Sequence, residues 1–200
     1  MEGVVPEGRI KPAKGYIVFD PELCTGCRSC EAVCSFVKEG AVRPELARIQ
    51  VQRNPFLGTV ENFLPKPCLQ CETPQCMLAC PVPGAMFVDE QTGARMIEAT
   101  LCEKGCSKCR EACGANFDPP RILFHPEKER HMKCDLCAGA PECVKWCPNG
   151  AIRYVGRTEL VEKGGYRQDF IEAFAKDFGP DFEPCEGPKW QYRGPWLKEE

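Results

Sequence analysis

The stretch CTGCRSCEAVC, residues 24–34, carries four cysteines spaced C-x2-C-x2-C-x3-C, and three further groups of four follow it along the chain. The four groups are Cys24, Cys27, Cys30 and Cys34; Cys68, Cys71, Cys76 and Cys80; Cys102, Cys106, Cys109 and Cys113; and Cys134, Cys137, Cys143 and Cys147. Every group closes with a C-x3-C step, and the second and fourth are followed at once by proline. Sixteen of the seventeen cysteines therefore belong to one repeated pattern, and Cys185 lies outside it.

The spacing of the first group is that of the bacterial two-cluster ferredoxin run, whose thiolates hold [4Fe-4S] clusters. In that run three cysteines of one short loop bind one cluster, and the fourth ligates a neighbouring cluster. Four groups therefore predict four [4Fe-4S] clusters and a chain of one-electron carriers. Group three departs from the pattern, because it opens with C-x3-C and has Gly114 in place of proline. A [3Fe-4S] cluster, zinc or an empty site are the alternatives there.

Other uses of clustered cysteines fit the pattern less well. A secreted disulfide scaffold would not have an odd number of cysteines in such local C-x2-C pairs, and the start MEGVVPEGRIKPAKG is polar rather than an apolar signal segment. Zinc ribbons usually separate two C-x2-C pairs by a spacer, whereas each group here lies within eleven to fourteen residues. A zinc-stabilised interaction module remains the alternative from another functional class.

The composition indicates how large the core is, what kind of partner the protein has and where it is located. Apolar residues make up 43% of the 200 residues, and the 17 cysteines are counted among them. This is little material for a core, so we expect cluster binding to supply much of the folding free energy. The formal charge of −3 does not favour nucleic-acid binding, and bound clusters would make the protein more acidic and steer it towards a basic partner surface. No apolar run approaches the length of a membrane span, so the predicted location is the cytoplasm.

The groups also form a repeat. Groups two and four share a form ending in C-x3-C-P followed by Gly-Ala, and groups one and three share tighter spacing. Short β-branched or alternating runs flank the groups and predict strands at Tyr16–Phe19, Ile49–Val51, Ala85–Val88, Met96–Ile97, Ile122–Phe124 and Ala151–Val155. The C-x3-C steps predict short helices, because positions i and i+4 share a helical face. The predicted fold class is α+β with little regular secondary structure, built from two ferredoxin-like units in tandem or pseudo-twofold arrangement.

Three regions are predicted along the chain. Residues 1–15 form an N-terminal arm, residues 16–155 the double ferredoxin-like domain, and residues 156–200 a C-terminal helix and a partner-docking tail. The helix is predicted from one apolar face, which consists of Phe170, Ile171, Phe174 and Phe178. The tail carries Trp190, Tyr192 and Trp196, residue types that dominate interface hot spots.

No residue pattern predicts a substrate site. His125 and His131 lie in the charged segment HPEKERHMK, where solvated side chains are expected. No C-x2-C-H haem motif occurs, and no G-x-G-x-x-G or G-x4-G-K-[ST] nucleotide motif occurs. We therefore expect a non-catalytic protein that moves electrons for another protein.

With these motifs, the chain resembles the four-cluster ferredoxin-type electron-transfer subunits of the dimethyl sulfoxide reductase family. The resemblance covers about residues 16–155 and rests on CTGCRSCEAVC, PCLQCETPQCMLACPVPGAM, DEQTGARMIEATLC and KCDLCAGAPECVKWCPNGAI. It implies an exchange of ligands in which group one pairs with group four and group two with group three. The implied sets are Cys24, Cys27, Cys30 with Cys147; Cys134, Cys137, Cys143 with Cys34; Cys68, Cys71, Cys76 with Cys113; and Cys102, Cys106, Cys109 with Cys80.

The resemblance also implies partners. These are a larger catalytic oxidoreductase subunit, with a molybdenum or tungsten pterin as one option, and a further electron donor or acceptor protein. Small subunits of tungsten enzymes of the aldehyde oxidoreductase type, including class II benzoyl-CoA reductase, fit this description, as do formate dehydrogenase and soluble hydrogenase partners. The alternative is a free-standing polyferredoxin.

Overall fold

Four two-stranded sheets, four α-helices and two 3-10 helices (Pro44–Leu46 and Leu136–Gly139) make up the regular structure of residues 10–20, 23–53 and 63–157, the part of the chain that the computed structural model describes. In chain order the elements are β1 (Gly15–Phe19), α1 (Ser29–Glu39), β2 (Gln50–Arg53), β3 (Phe63–Lys66), α2 (Gln75–Leu78), β4 (Met86–Val88), β5 (Arg95–Ile97), α3 (Lys108–Gly114), β6 (Leu123–His125), β7 (Arg130–Met132), α4 (Glu142–Lys145) and β8 (Ile152–Gly156). The mixed α and β class with sparse regular structure is as predicted.

Each α-helix contains the third cysteine of its group, and the fourth cysteine follows one helical turn later. The longest, α1, ends at Gly40, whose φ of 73° requires the left-handed region that glycine adopts without strain. The Gly40 N–H donates to Phe36 O at 2.8 Å and closes the last turn. The C-x3-C steps therefore form short helices, as the i, i+4 spacing predicts.

The sheets are β1 with β8, β2 with β3, β4 with β5, and β6 with β7. The last three pairs are antiparallel, with Val51 opposite Pro65, Phe87 opposite Met96, and Phe124 opposite His131. Six of these strands lie within two residues of their predicted bounds. Strands β3 and β7 were not predicted, because β3 contains a proline and β7 has only one apolar residue, Met132, among its three. A proline is tolerated in β3 because that strand has only one neighbour in its sheet.

The prediction of solvated histidines is wrong. His125 is 3% exposed and His131 is 6% exposed, because the hairpin of β6 and β7 folds back onto the rest of the chain. His125 Nε2 lies 3.3 Å from Glu39 Oε2 at the end of α1. The His131 ring packs 5.4 Å from the ring of Phe124. A segment of alternating charges thus becomes a structural hairpin through long-range contacts that its local composition does not reveal.

The chain divides into two compact units, Met1–Tyr154 and Val155–Glu200. Nearly all of the described residues belong to the first unit. The predicted C-terminal helix, Cys185, and the aromatic residues Trp190, Tyr192 and Trp196 lie outside the described residues. Within the described ranges, no helix combines the length and apolar character needed to cross a membrane.

Candidate iron–sulfur sites

One cavity is lined by three cysteines of group one and the last cysteine of group four. They are Cys24, Cys27, Cys30 and Cys147. The cavity holds about 320 Å³ of empty space, including its open mouth, and apolar walls complete it at Val51, Pro65 and Ile152. The side chain of Asn149 connects the loop that follows group four to the loop of group one, because its Nδ2 donates to Leu23 O at 3.2 Å and to Thr25 Oγ1 at 3.0 Å. Cysteines more than a hundred residues apart therefore share one space.

A second cavity is lined by the reciprocal set. It contains Cys34 of group one with Cys134, Cys137 and Cys143 of group four. Its empty space is about 340 Å³, again including the mouth, and Ile17 and Leu136 contribute apolar walls. Helix α1 packs against α4. Cys30 and Cys34, one turn apart on α1, therefore line different cavities.

Groups two and three are brought together by the packing of α2 against α3. Burial raises the pKa of Cys113 to about 11, and the nearby thiols of Cys68 and Cys76 add to this shift. Burial likewise raises the pKa of Cys109 to about 12, with contributions from the thiols of Cys76, Cys102 and Cys80. Thiols of group two thus act on both Cys109 and Cys113 of group three, which agrees with the packing of α2 against α3. Cys106 is half-buried in the loop that precedes α3.

The thiols in these sites are free, and seven of the sixteen cysteines are buried. All sixteen cysteines of the described ranges lack a disulfide. Burial raises the pKa of Cys30 to about 12 and that of Cys71 to about 12, because it disfavours the thiolate. Cys27 differs, since hydrogen bonds from Ser29 lower its pKa. Thiols of this kind bind metal as thiolates and release protons on binding.

In groups one and three, where no proline follows the last cysteine, a backbone N–H group points at the sulfur of that cysteine. Arg48 N donates to Cys34 Sγ at 3.2 Å, and Arg121 N donates to Cys113 Sγ at 3.2 Å. Each arginine also donates from its own Nη1 to the backbone oxygen two residues earlier, Leu46 O and Pro119 O, both at 2.8 Å. Group three therefore follows the local pattern of group one, in which the last cysteine is likewise followed by a residue other than proline, Ser35. The shared Arg-Ile at 48–49 and 121–122 is the sequence signal for these donors.

Within the described parts of the chain, no three cysteine, histidine or carboxylate side chains converge on a position for a single metal ion. The chemistry of the donor sets is sulfur alone. Four thiols around each of the two cavities match the donor set that an iron–sulfur cluster requires.

Comparison with known proteins agrees with this chemistry. Residues 59–157 match the family model of the 4Fe-4S dicluster domain, and residues 16–42 match that of the 4Fe-4S binding domain. The polyferredoxin-like subunit of aliphatic sulfonate oxidoreductase from Pyrococcus furiosus is 37% identical over 164 residues, covering 81% of this chain and 85% of that protein. The chain belongs to the ferredoxin-like 4Fe-4S proteins. It is an iron–sulfur electron-transfer protein of the type found as subunits of oxidoreductases, as the cysteine pattern predicts.

Other relatives have different lengths. The beta subunit of NADH-dependent phenylglyoxylate dehydrogenase from Aromatoleum evansii is 31% identical over 88% of this chain, which spans only 36% of that subunit. The iron-sulfur subunit of the nitrate-inducible formate dehydrogenase of Escherichia coli is 27% identical over 90% of this chain and 68% of that protein. Among solved structures, the active-site complex BamBC of benzoyl coenzyme A reductase with benzoyl-CoA is 25% identical and covers 84% of this chain and 92% of that chain, with a low TM-score of 0.40.

Proposed function

We propose that this chain holds four [4Fe-4S] clusters and relays single electrons between the catalytic subunit of an oxidoreductase complex and a further donor or acceptor protein. The main observation behind this proposal is the set of cysteines that lines each of the two cavities. Each combines three cysteines of one group with the fourth cysteine of a distant group. A random grouping of sixteen thiols would not give two sets that are reciprocal in this way.

The proposed ligand sets follow that reciprocity. They are Cys24, Cys27, Cys30 and Cys147; Cys134, Cys137, Cys143 and Cys34; Cys68, Cys71, Cys76 and Cys113; and Cys102, Cys106, Cys109 and Cys80. The first two sets are supported by the shared cavities. The other two are supported by the packing of α2 on α3 and by the contributions of nearby thiols to the raised pKa values of Cys109 and Cys113.

A pseudo-twofold arrangement of two ferredoxin-like units accounts for several matched contacts. Asp20, four residues before the first cysteine of group one, donates its N–H to Ala151 O at 2.7 Å. Glu98, four residues before the first cysteine of group three, donates its N–H to Ala85 O at 2.9 Å. The paired arginine contacts at Cys34 and Cys113 repeat the correspondence. We therefore propose residues 16–155 as the four-cluster domain, residues 1–15 as an arm and residues 156–200 as the docking segment.

A [4Fe-4S] group, when bound, supplies one-electron redox chemistry without proton transfer. This chain supplies the thiolates, excludes water by burying them, and directs N–H groups at sulfur. Hydrogen bonds to sulfur and burial are the main means by which a protein sets the potential of such a site. The N–H groups of Arg48 and Arg121 serve this purpose at Cys34 and Cys113.

The partner is proposed to carry the catalytic cofactor, with a molybdenum or tungsten pterin as the leading candidate. The relatives support a catalytic partner subunit, because their names describe subunits of sulfonate oxidoreductase, phenylglyoxylate dehydrogenase and formate dehydrogenase. The chain itself is proposed to be non-catalytic and to act in the cytoplasm. Trp190, Tyr192 and Trp196 are proposed to contact the partner.

The decisive experiment is metal and sulfide analysis of the protein purified under anaerobic conditions. Four cubane clusters predict about sixteen iron ions and about sixteen acid-labile sulfides per chain, with the brown colour of such clusters. Zinc without sulfide would overturn the proposal in favour of an interaction module. An iron content of about twelve ions per chain, with none at the group-three site, would reduce the relay to about three clusters.

A further inference from the structure

Arg95 is a cation buried in the interior next to the cysteines of group two. It begins strand β5 and is 0% exposed. One guanidinium nitrogen, Nη1, donates to Gly93 O at 2.9 Å. The Nε and Nη2 nitrogens are also buried, and neither has a hydrogen-bond partner within the described ranges. A buried guanidinium with unused donors is costly unless an anion compensates it.

The groups around Arg95 indicate where that anion belongs. Burial lowers the pKa of the guanidinium, while Tyr16, the thiols of Cys68 and Cys71, and the carboxylate of Glu72 act in the opposite direction. Glu72 is exposed, and no carboxylate of the described ranges forms an ion pair with Arg95. The sulfur groups are the buried anionic candidates, and a second buried cation, Lys133, lies beside the same cysteines and adds to the positive charge that needs compensation. A cluster with four thiolates carries a net negative charge and would compensate Arg95.

Gln70 connects the backbone of Arg95 to the cysteine loop of group two. Gln70 lies between Cys68 and Cys71 and is 0% exposed. Its Oε1 accepts from Arg95 N at 2.8 Å, and its Nε2 donates to Cys134 O at 2.9 Å. The start of β5 is thus fixed to the cysteine loop of group two through a buried amide.

The repeat within the chain provides an internal comparison. Asp20 and Glu98 occupy matching positions, four residues before Cys24 and Cys102, and make matching backbone hydrogen bonds. By the same register Arg95 corresponds to Ile17, since each lies seven residues before the first cysteine of its group.

Gln70 has a counterpart in the same way. Leu136 is the second residue after the first cysteine of group four, as Gln70 is in group two, and both have left-handed backbones with φ of 57° and 51°. Ile17 and Leu136 line the cavity of Cys34, Cys134, Cys137 and Cys143. The site of Cys134, Cys137 and Cys143 therefore has an apolar pair at the positions where the group-two site has Arg95 and Gln70. Lys38 and Arg48 also line that cavity, but they pair with Asp135 and Glu39, respectively, whereas no carboxylate of the described ranges pairs with Arg95.

We propose that Arg95 raises the reduction potential of the cluster at Cys68, Cys71 and Cys76 above that of the cluster at Cys134, Cys137 and Cys143, so that the group-two site is where a transferred electron rests. This inference relies on the ligand sets proposed above. One electron enters from a one-electron donor, no proton is taken up and no bond is broken. The charge of the cluster with its thiolates changes from about −2 to about −3, and a fixed neighbouring cation favours the more negative state.

The test is an anaerobic redox titration of the full-length, cluster-loaded protein, followed by electron paramagnetic resonance. Dithionite with mediator dyes serves as the one-electron donor. The main variant is Arg95→Ile, which copies the residue at the matching position, and Arg95→Lys retains the charge. Lys104→Gln is the control, because Lys104 is 62% exposed and water screens its charge. Cys71→Ser identifies the signal of the group-two cluster.

At the midpoint potential of the wild type, the ratio of reduced to oxidised group-two cluster is expected to be about tenfold lower in Arg95→Ile. A tenfold change corresponds to a shift in potential of about 59 mV for a one-electron couple. Arg95→Lys is expected to restore much of the wild-type ratio, and Lys104→Gln to leave it unchanged. An unchanged ratio in a fully loaded Arg95→Ile protein would overturn the inference, as would equal shifts of every cluster. Loss of iron from both Arg95 variants would overturn it in favour of a structural role. Absence of [4Fe-4S] signals in the wild type would instead contradict the proposed function itself.

Discussion

Replacing Glu39 by glutamine tests how the first cysteine helix is tied to the rest of the fold. Glu39 ends α1, and its side chain is 6% exposed. It accepts hydrogen bonds from Arg48 and, at 2.5 Å, from Lys128 Nζ, and it lies beside His125. Arg48 also donates its backbone N–H to Cys34 Sγ. The carboxylate therefore links the helix of group one to the hairpin of β6 and β7 and to a cysteine site.

The magnitude follows from the pKa of Glu39. Burial alone would raise it, but the hydrogen bonds from Lys128 and Arg48 lower it from 4.5 to about 2. A shift of about 2.5 units corresponds to about 3 kcal/mol of stability. Lys128 is 58% exposed, so solvent screening reduces its share and about 2 kcal/mol is the more realistic loss. Because the pKa is depressed, this contribution is complete above about pH 5 and disappears as the pH falls towards 2.

The assay is anaerobic unfolding in guanidinium chloride at neutral pH, followed by the visible absorbance of the bound clusters. With a slope of about 4 kcal/mol per molar, a loss of about 2 kcal/mol lowers the midpoint by about 0.5 M. Glu45→Gln is the matched control, since Glu45 is 61% exposed and pairs with Arg43 at 3.0 Å on the surface. Its midpoint is expected to stay within the small range of surface ion pairs. Equal midpoints for Glu39→Gln and the wild type would refute the reasoning.

The remaining predictions concern the ligand exchange and the tail. Cys147→Ser is expected to change the spectrum of the cluster held mainly by Cys24, Cys27 and Cys30, because Cys147 lines that cavity; a change confined to the group-four cluster would show that the sets are not crossed. Cys34→Ser is the reciprocal variant and is expected to alter the group-four cluster alone. Deletion of residues 180–200 is expected to weaken association with a larger catalytic chain while the iron content stays unchanged, as checked by co-purification and iron analysis. Loss of iron after that deletion would assign the tail to cluster protection instead.

Local features of this chain were predictable because they depend on residues close in sequence. The C-x3-C steps predicted helices at all four groups, since cysteines four apart lie on one helical face. Six of the eight described strands were predicted from short apolar or β-branched runs. The strands β3 and β7 were missed, because β3 contains a proline and β7 has a single apolar residue. The tail residues Trp190, Tyr192 and Trp196 remain predictions.

Other features depend on contacts between distant segments, and local composition does not report them. His125 and His131 sit among charged residues in sequence but are buried by the folded hairpin. Arg95 was not selected from the sequence either, because an arginine at the start of a strand is usually exposed. Its burial next to Cys68 and Cys71 becomes visible only when β5 packs against the group-two loop through Gln70.

The sequence by itself determined the chemistry of this protein: four groups of thiols with the spacing of iron–sulfur ligands, a repeat, and short helices at each C-x3-C step. The tertiary structure decided which groups share a space. Cys147 lies in the cavity of group one and Cys34 in that of group four, because α1 packs against α4 across more than a hundred residues of chain. The physical reason is that spacing within a loop is a local property of the backbone, whereas the pairing of loops depends on which buried faces pack together. The same packing buries Arg95 without a carboxylate partner at the group-two site, whereas the cations Lys38 and Arg48 of the counterpart site are paired with carboxylates, although the cysteine patterns of the two sites are nearly the same.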